Sequence, residues 1–378
     1  MGSAKVATYC QISACSPEVE ETIRFEYDFL ESHNTSESSS HNYKKVQDAL
    51  KLLVTKDERE GTQALSIVGP LDDNNRPIWG LEEEPDTLEE LLTEAEGRVR
   101  VLSGCSMGDA FGSGFCQGPN GQDDDILVSY GGYFFVQTYM LAILESATGG
   151  AVSAERLWRL VMAKGHFNST QESPAIDGAD YGPIYKYLEQ IPWVLGDVDR
   201  KELPKMGVIG TPEDIADVLR KRGFWMWMRP DRFPINPTTF RPNTSITEGD
   251  LSNLTPREAI SKLPPEIIHY VALELSLWDI IALATLNKKL YTHLLGTQEA
   301  RDSLAKAYIR KHARWCLPFG KTELKWWNER NGNNVLGWEY LKRCWSESHS
   351  MRNRRRIWKA AELIEEECQK EEKRPAGK

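Results

Sequence analysis

The sequence predicts an α+β body over residues 1–228, an all-α module over 255–300, and a helical, tryptophan-rich C-terminal end over 301–378. Short segments with β-strand character alternate with amphipathic helical patterns in the first part of the chain, and this mixture is typical of an α+β domain. From about residue 255 onward the apolar residues recur at helical spacing. Half of the twelve tryptophans lie in the last 64 residues, a density that indicates a small core pinned by large side chains.

Charge is distributed unevenly along the 378 residues, which carry 46 Lys+Arg and 56 Asp+Glu. From Leu251 onward there are 23 basic and 16 acidic residues, which leaves 23 basic and 40 acidic residues in the first 250. An acidic body followed by a basic end indicates two separate modules, and it argues against a body that binds nucleic acid. Residues 229–254 are rich in Pro, Asn, Thr and Ser, which predicts a semi-extended linker.

Local signals place the elements of the body. Capping residues followed by apolar residues at helical spacing predict helices, and short apolar or alternating runs predict strands. The predicted helices span 16–30, 43–54, 86–95, 153–164 and 211–222, with a polar loop at 32–42, and the predicted strands span 64–68, 99–101, 126–129 and 224–228. The last of these strands, FWMWM, is expected in the core, with a partner-binding edge as the alternative.

The body holds no set of residues that predicts catalysis, a cofactor or a metal. The glycine-rich stretch Gly104–Gly121 lacks the Gly-Lys-Ser/Thr of a phosphate-binding loop, so we expect a flexible loop. The aspartates at 123–125 lack the alternate spacing of calcium ligands, so we expect a solvated turn. His166 follows a glycine that ends a predicted helix, where a surface or capping role is expected rather than a general base.

Cysteine usage and the first residues of the chain bear on compartment. The seven cysteines are scattered, and MGSAKVATYCQIS has no apolar core of signal-peptide length, so we expect reduced thiols in the cytoplasm and/or nucleus. The Cys-x-x-Cys spacing of a zinc site is absent. The longest apolar run, Tyr133–Leu144, is too short and too polar to span a bilayer, so no membrane partner is expected.

The stretch Leu263–Leu295 predicts a helical hairpin. Pro264 and Pro265 end the preceding short helix, and Ser276 with Asp279 forms a capping box for the second helix. The apolar residues of that helix form one line at Ile280, Leu283, Asn287, Leu290 and Leu294, a second at Leu277, Ile281 and Ala284, and a third side at Trp278, Ala282 and Leu286. A helix that is apolar around most of its circumference must be buried on most of it. Because a module of about forty residues cannot cover it from within, we expect a partner to cover part of it.

Three short motifs fall in order within this stretch, at 263–267 (LPPEI), 275–279 (LSLWD) and 287–291 (NKKLY). They resemble the L-P-x-E-I start, the Leu-Ser-x-x-D-L-like middle and the N-K/R-x-L-Y/W end of the F-box family. Ile280 stands where that family usually has leucine, and Leu286 where it has valine. The position of the box behind a large body, with the C-terminal end from Trp315 onward, is similar to the filamentous-fungal F-box proteins.

The resemblance implies docking on the Skp adaptor of a cullin–RING (SCF) ubiquitin ligase, with the cullin reached through the adaptor. Carried over by position, the adaptor-facing candidates are Leu263, Pro264, Glu266, Ile267, Ile280, Leu283, Leu290 and Leu294. Ordinary core packing is the alternative for each of them. The larger part of the chain, 1–228, is then expected to bind an unknown protein substrate. We expect a receptor that is not an enzyme; an F-box scaffold without ubiquitin-ligase output and a nucleic-acid-associated protein are the alternatives.

Two features of the C-terminal end are compatible with nucleic-acid binding. Its tryptophans are expected in a core, with nucleobase stacking as the alternative. The basic run at 351–359 is compatible with a nuclear address or a phosphate contact. Glu362 and the glutamates at 365–367 follow closely on the same predicted helix, so we expect a solvated, self-paired helix instead and no nucleic-acid partner.

Overall fold

The computed structural model describes residues 10–13, 48–49, 65–80, 83–107, 114–119, 125–168, 211–214, 230, 259–329 and 336–374. The chain divides into two compact units, Met1–Asp231 together with Asn353–Lys378, and Arg232–Arg352. The first boundary falls close to the start of the predicted linker. The second divides the predicted C-terminal segment 301–378, because the last 26 residues belong with the first unit.

A five-stranded antiparallel sheet forms the centre of the first unit, with strand order β4-β3-β2-β1-β5. Its strands are β1 Leu65–Pro70, β2 Val99–Met107, β3 Phe115–Gln117, β4 Asp125–Leu127 and β5 Phe134–Gln137. The helices of the described chain are α1 Leu88–Glu94, α2 Thr138–Thr148, α3 Ala154–Ala163, α4 Pro265–Ala272, α5 Leu277–Thr285, α6 Lys288–Tyr291, α7 Gln298–His312, α8 Gly320–Glu329, α9 Trp338–Lys342 and α10 His349–Glu372. The prediction of an α+β part followed by helices is confirmed.

Buried strands β1 and β5 supply much of the core of the first unit. All six residues of β1 and all four of β5 are buried, and α3 contacts both β1 and β2. A strand that is buried on both faces has a continuous rather than alternating apolar pattern. The predicted strand at 64–68 is therefore confirmed, and the apolar run Tyr133–Leu144 divides into a strand and the start of α2. In the described parts of the chain no helix is both long and apolar enough to cross a membrane.

The prediction of a flexible loop at Gly104–Gly121 is wrong for the residues that the structure describes. Strand β2 continues through Gly104 to Met107, and β3 pairs with it. The register with β1 shifts where Leu65 pairs with Cys105 and the next residue pairs with Ser103, so Gly104 is an extra, bulged residue. Its φ of 85° lies in the region that glycine adopts without strain. Here a glycine marks a bulge within a strand rather than a break in it.

The helix starts of the body follow their predicted capping chemistry with one displacement. Ser153 caps α3, and its hydroxyl accepts the backbone N–H of Arg156, as predicted. The capping pattern of the helix predicted over 86–95 places Asp86, its first residue, at the cap. The cap of α1 is instead Thr87, one residue further along the chain, whose hydroxyl accepts the N–H of Glu90 and donates to its carboxylate. Both arrangements satisfy backbone donors that a helix start leaves free.

A cluster around Gly132 joins α3 to the sheet. Trp158 is fully buried, and its indole Nε1 donates to the Gly132 carbonyl at 2.8 Å. The Tyr133 hydroxyl donates to the Pro70 carbonyl at 3.0 Å and accepts the N–H of Trp79. A Cβ at position 132 would lie 2.7 Å from the Trp79 ring. Only glycine therefore allows these aromatic side chains to pack so close to the backbone.

His166 lies in the core, not at the surface where the sequence placed it. It follows α3 in a 3₁₀ turn, His166–Asn168, and its Nε2 lies 2.9 Å from the Tyr133 carbonyl. The Phe134 ring meets it edge-on. Because a carbonyl can only accept, the Nε2 carries the proton. Burial lowers the pKa of His166 to about 4, so the imidazole is neutral at ordinary pH.

This burial predicts a loss of stability in acid. The unfolded chain takes up a proton on His166 near pH 6.5, whereas the folded chain does so only near pH 4. Stability therefore falls as pH drops through that window, by ~3 kcal/mol between pH 7 and pH 4. We expect the free energy of unfolding in urea to show this extra loss in the wild-type chain and not in His166→Gln. Identical pH profiles for the two chains would contradict the prediction.

Helix α10 is an integral part of the first unit over most of its length. Arg156 pairs with Glu372 at 2.6 Å, and Lys164 with Glu367 at 2.8 Å. The guanidinium of Arg356 donates to the carbonyl of Ser13. From Asn353 onward, the buried apolar and small side chains of the helix are Ile357, Trp358, Ala360, Ala361, Ile364 and Cys368. The order of these residues along α10 shows one inward face with ion pairs at its margin.

The expectation of a solvated basic run at 351–359 is wrong for Arg354 and Arg356, whereas Arg352 and Lys359 are exposed. Asn353, Arg354 and Arg356 are buried, and Arg356 also donates to the Asn353 side chain. Guanidinium groups rarely leave solvent unless hydrogen-bond partners replace the lost water, and the carbonyl of Ser13 is one such partner. The sequence showed the glutamates of the same helix but could not show this contact with a residue 343 positions away.

Several predictions concern segments outside the described residues. The predicted helix at 16–30, the loop at 32–42 and the strand at 224–228 lie there entirely. So do almost all of the linker at 229–254 and most of the helices predicted at 43–54 and 211–222. They stay predictions.

Candidate functional site

Helices form over most of the stretch Leu263–Leu295, as predicted, but the second predicted helix is divided: α5 ends at Thr285 and α6 begins at Lys288. Pro265 occupies the first turn of α4, where its missing N–H costs nothing. The Ser276 hydroxyl accepts the N–H of Asp279 at 3.2 Å and donates to its carboxylate at 2.6 Å, so the predicted cap of α5 is confirmed. A further cap was not predicted: Asn287 Oδ1 accepts the N–H of Leu290 at 3.0 Å and begins α6. These caps account for three short helices within about thirty residues.

The eight adaptor-facing candidates divide into two groups. Leu263 is half-buried, while Pro264, Glu266 and Ile267 are exposed. The other four, Ile280, Leu283, Leu290 and Leu294, are all buried, and Ile280 is 0% exposed. As the chain is folded here, these four side chains contribute to the interior of the second unit rather than to its surface. For them the structure agrees with core packing, the alternative that the sequence left open.

A different set of large apolar side chains is exposed on the same two helices. It comprises Ile267 and Tyr270 on α4, and Trp278 and Leu286 on and directly after α5. Trp278 is 70% exposed. Tyr130 and Leu324 are the other exposed large hydrophobic residues of the described chain. We call Ile267, Tyr270, Trp278 and Leu286 the exposed apolar set.

Helical spacing explains why these side chains share a side of each helix. Ile267 and Tyr270 are three residues apart, and Trp278, Ala282 and Leu286 follow at intervals of four, which places each group along one face. Ala282 is exposed as well. This is the third side of the second helix that the sequence distinguished. The contact candidates carried over from the F-box-like motifs included the line of residues through Ile280 instead. Only the packing of the folded chain shows that these residues are buried within it.

The described part of the chain shows neither a group of metal ligands nor an exposed thiol. No group of three or more His, Cys, Asp or Glu among them is placed to hold a metal ion. The six described cysteines are buried, and burial raises the pKa of both Cys105 and Cys368 to about 11. Burial also raises the pKa of Cys116. These thiols stay protonated at neutral pH, and a protonated thiol is a weak nucleophile.

Where the structure describes their side chains, at positions 315, 327, 338, 345 and 358, the tryptophans of the C-terminal end are buried or half-buried, in agreement with the predicted core packing. Trp315 and Trp358 are buried, and the rings of Trp315 and Trp345 lie 5.7 Å apart between centroids. Trp327 meets Tyr340 edge-on at 6.0 Å. Rings in such contact supply packing energy to the helices around them, and buried faces are closed to nucleobases.

No protein-family model matches this sequence, and no curated protein or solved structure matches it either.

Proposed function

We propose that the chain is an F-box substrate receptor that binds the Skp adaptor of an SCF ubiquitin ligase through the exposed apolar set. One observation carries the proposal. Four large apolar side chains remain exposed on the two helices that hold the F-box-like motifs at 263–267 and 275–279. Large apolar side chains exposed along one face of each helix are typical of an interaction surface.

The energetics are consistent with a tight complex. Fully burying one large apolar side chain contributes ~1.5–3 kcal/mol. Tryptophan and tyrosine, two of the four residue types in the exposed apolar set, are enriched among the residues that dominate binding energy in protein interfaces. Leu263 and Pro264, at the entry to α4, then extend the contact, while the buried line through Ile280 supports the hairpin from within.

The receptor does no bond chemistry in this proposal. The first unit holds a protein substrate, and the second unit holds the adaptor. Tethering raises the effective concentration of the substrate near the ubiquitin-conjugating enzyme, which accelerates transfer without a catalytic residue in this chain. Ubiquitylation of a bound protein that is lost when the adaptor contact is lost would distinguish a receptor from a scaffold.

Binding of the purified full chain to the Skp adaptor tests the adaptor contact. We expect a stable complex for the wild-type chain and a loss of affinity of more than ~100-fold for Leu286→Asp, because a carboxylate would be desolvated in an apolar contact. Calorimetry measures both dissociation constants. Trp278→Asp should behave in the same way.

Leu324→Asp is the matched control, because Leu324 is a leucine of nearly equal exposure, 44% against 47% for Leu286, outside the hairpin. It should bind the adaptor like the wild-type chain. A wild-type chain that ignores the adaptor, or a Leu286→Asp chain that binds normally, would rule out the proposed contact. Ile280→Asp is unsuitable as a test, because its side chain is buried and the change is expected to unfold the second unit.

A further inference from the structure

The last turn of α7 contacts the last turn of α4. The ammonium of Lys311 lies 2.5 Å from the Glu274 carboxylate. The next residue, His312, donates from Nε2 to the backbone carbonyl of Leu273 at 2.6 Å. Leu273 is the residue that ends α4, where carbonyl groups lack helical partners. A basic turn outside the F-box-like stretch therefore caps the end of the first box helix.

Lys311 also reaches a member of the exposed apolar set. Its ammonium lies 5.9 Å from the centroid of the Tyr270 ring, within the range of a cation–π interaction. Tyr270 is largely exposed, so its ring would otherwise be free to change rotamer. Lys311 thus contacts both Tyr270, on α4, and Glu274, just after the end of that helix.

Aromatic packing holds this turn of α7 in place. The His312 ring lies 5.2 Å from that of Tyr308, which is buried and in turn meets Trp345 edge-on at 6.4 Å. Trp345 contacts the buried Trp315. His312 and the helical turn that carries Lys311 therefore belong to a helix packed on tryptophan side chains rather than to a loop.

Resting on the proposed function, we propose that Lys311 and His312 are positioning residues for the adaptor contact, which hold Tyr270 and the end of α4 in the orientation that the adaptor binds. Ordering a flexible side chain before binding removes an entropic cost from the complex. The contact surface of this chain therefore depends on residues downstream of the motif at 287–291. The tryptophan-rich segment acts as its support.

A double-mutant cycle measured on adaptor affinity tests the proposal. We expect Lys311→Met to weaken adaptor binding by the full chain about threefold to tenfold, the size of a cation–π contact together with a pre-oriented side chain. Lys311→Arg keeps the charge and should restore most of the affinity. Tyr270→Leu should weaken binding as well. The double variant should be no more than about twofold weaker than Tyr270→Leu alone, because residues that act through each other are not additive.

Two controls separate positioning from folding. An exposed ion pair contributes little to stability, so the melting temperature of Lys311→Met should match that of the wild-type chain. Lys325→Met removes another exposed lysine of the second unit and should leave affinity unchanged. The proposal is overturned if Lys311→Met binds like the wild-type chain, or if the losses of the two single variants multiply in the double variant. If the wild-type chain does not bind the adaptor, the proposed function itself has failed. If it binds but the effects of the two substitutions are independent, the proposed function stands and the positioning role is wrong.

Discussion

Deletion of residues 353–378 is expected to unfold the α+β unit, although these residues lie at the far end of the chain. Three large side chains of this segment, Ile357, Trp358 and Ile364, are buried. Each contributes ~1.5–3 kcal/mol when fully buried, and their sum is comparable with the ~5–15 kcal/mol by which a whole domain is stable. We expect the truncated chain to lose its cooperative urea transition and to be cleaved rapidly by protease within the sheet.

Two controls make this expectation specific. A chain that ends at Glu372 keeps both ion pairs to α3 and the whole buried face of α10, so it should unfold like the wild-type chain. Within α10, Ile364→Asp should destabilise the unit strongly, whereas Lys359→Asp, at an exposed position of the same helix, should not. A truncated chain with the wild-type transition would show that α10 is not part of the core.

The same substitution at two tryptophans is expected to have opposite consequences. Trp158→Ala removes a fully buried indole and its hydrogen bond to the Gly132 carbonyl, which should cost ~3–5 kcal/mol of unfolding free energy. Trp278→Ala removes an indole that is mostly in solvent, so stability should change by less than ~0.5 kcal/mol. Adaptor affinity should nevertheless fall about tenfold or more in Trp278→Ala, since truncated interface tryptophans are among the costliest changes.

Urea unfolding and calorimetric titration on the two variants measure both quantities. Each variant is the control for the other, because both remove the same side-chain atoms, one from the core and one from the surface. A large stability loss in Trp278→Ala would show that its side chain is part of the core in solution. Full adaptor affinity in that variant would remove tryptophan from the proposed contact.

Local chemistry made much of the helical hairpin predictable. The proline entry, the Ser276–Asp279 box and helical spacing depend on residues a few positions apart, and the structure contains all three. The same holds for the Ser153 cap and for the strand around Ile67. Where two neighbouring residues could each cap a helix, as with Asp86 and Thr87, the prediction was wrong by one residue.

Long-range packing explains the predictions that were wrong. Gly104 continues a strand because β1 pairs on one side of it and β3 pairs a few residues further along. His166 is buried because the Tyr133 carbonyl lies against it. The arginines at 354 and 356 are buried where residues from the two ends of the chain meet, as the bond from Arg356 to Ser13 shows. None of these partners is near in sequence.

The sequence by itself determined that Leu263–Leu295 is helical and apolar on more than one side. It determined as well that Trp278, Ala282 and Leu286 share one of those sides, since spacing of four residues is a property of any helix. Only the tertiary structure decided which side the chain covers. Ile280, Leu283, Leu290 and Leu294 are buried, whereas the side chains of the exposed apolar set are open to solvent. Hydrophobic periodicity specifies that a face must be buried, but it contains no information on whether the chain or another molecule buries it.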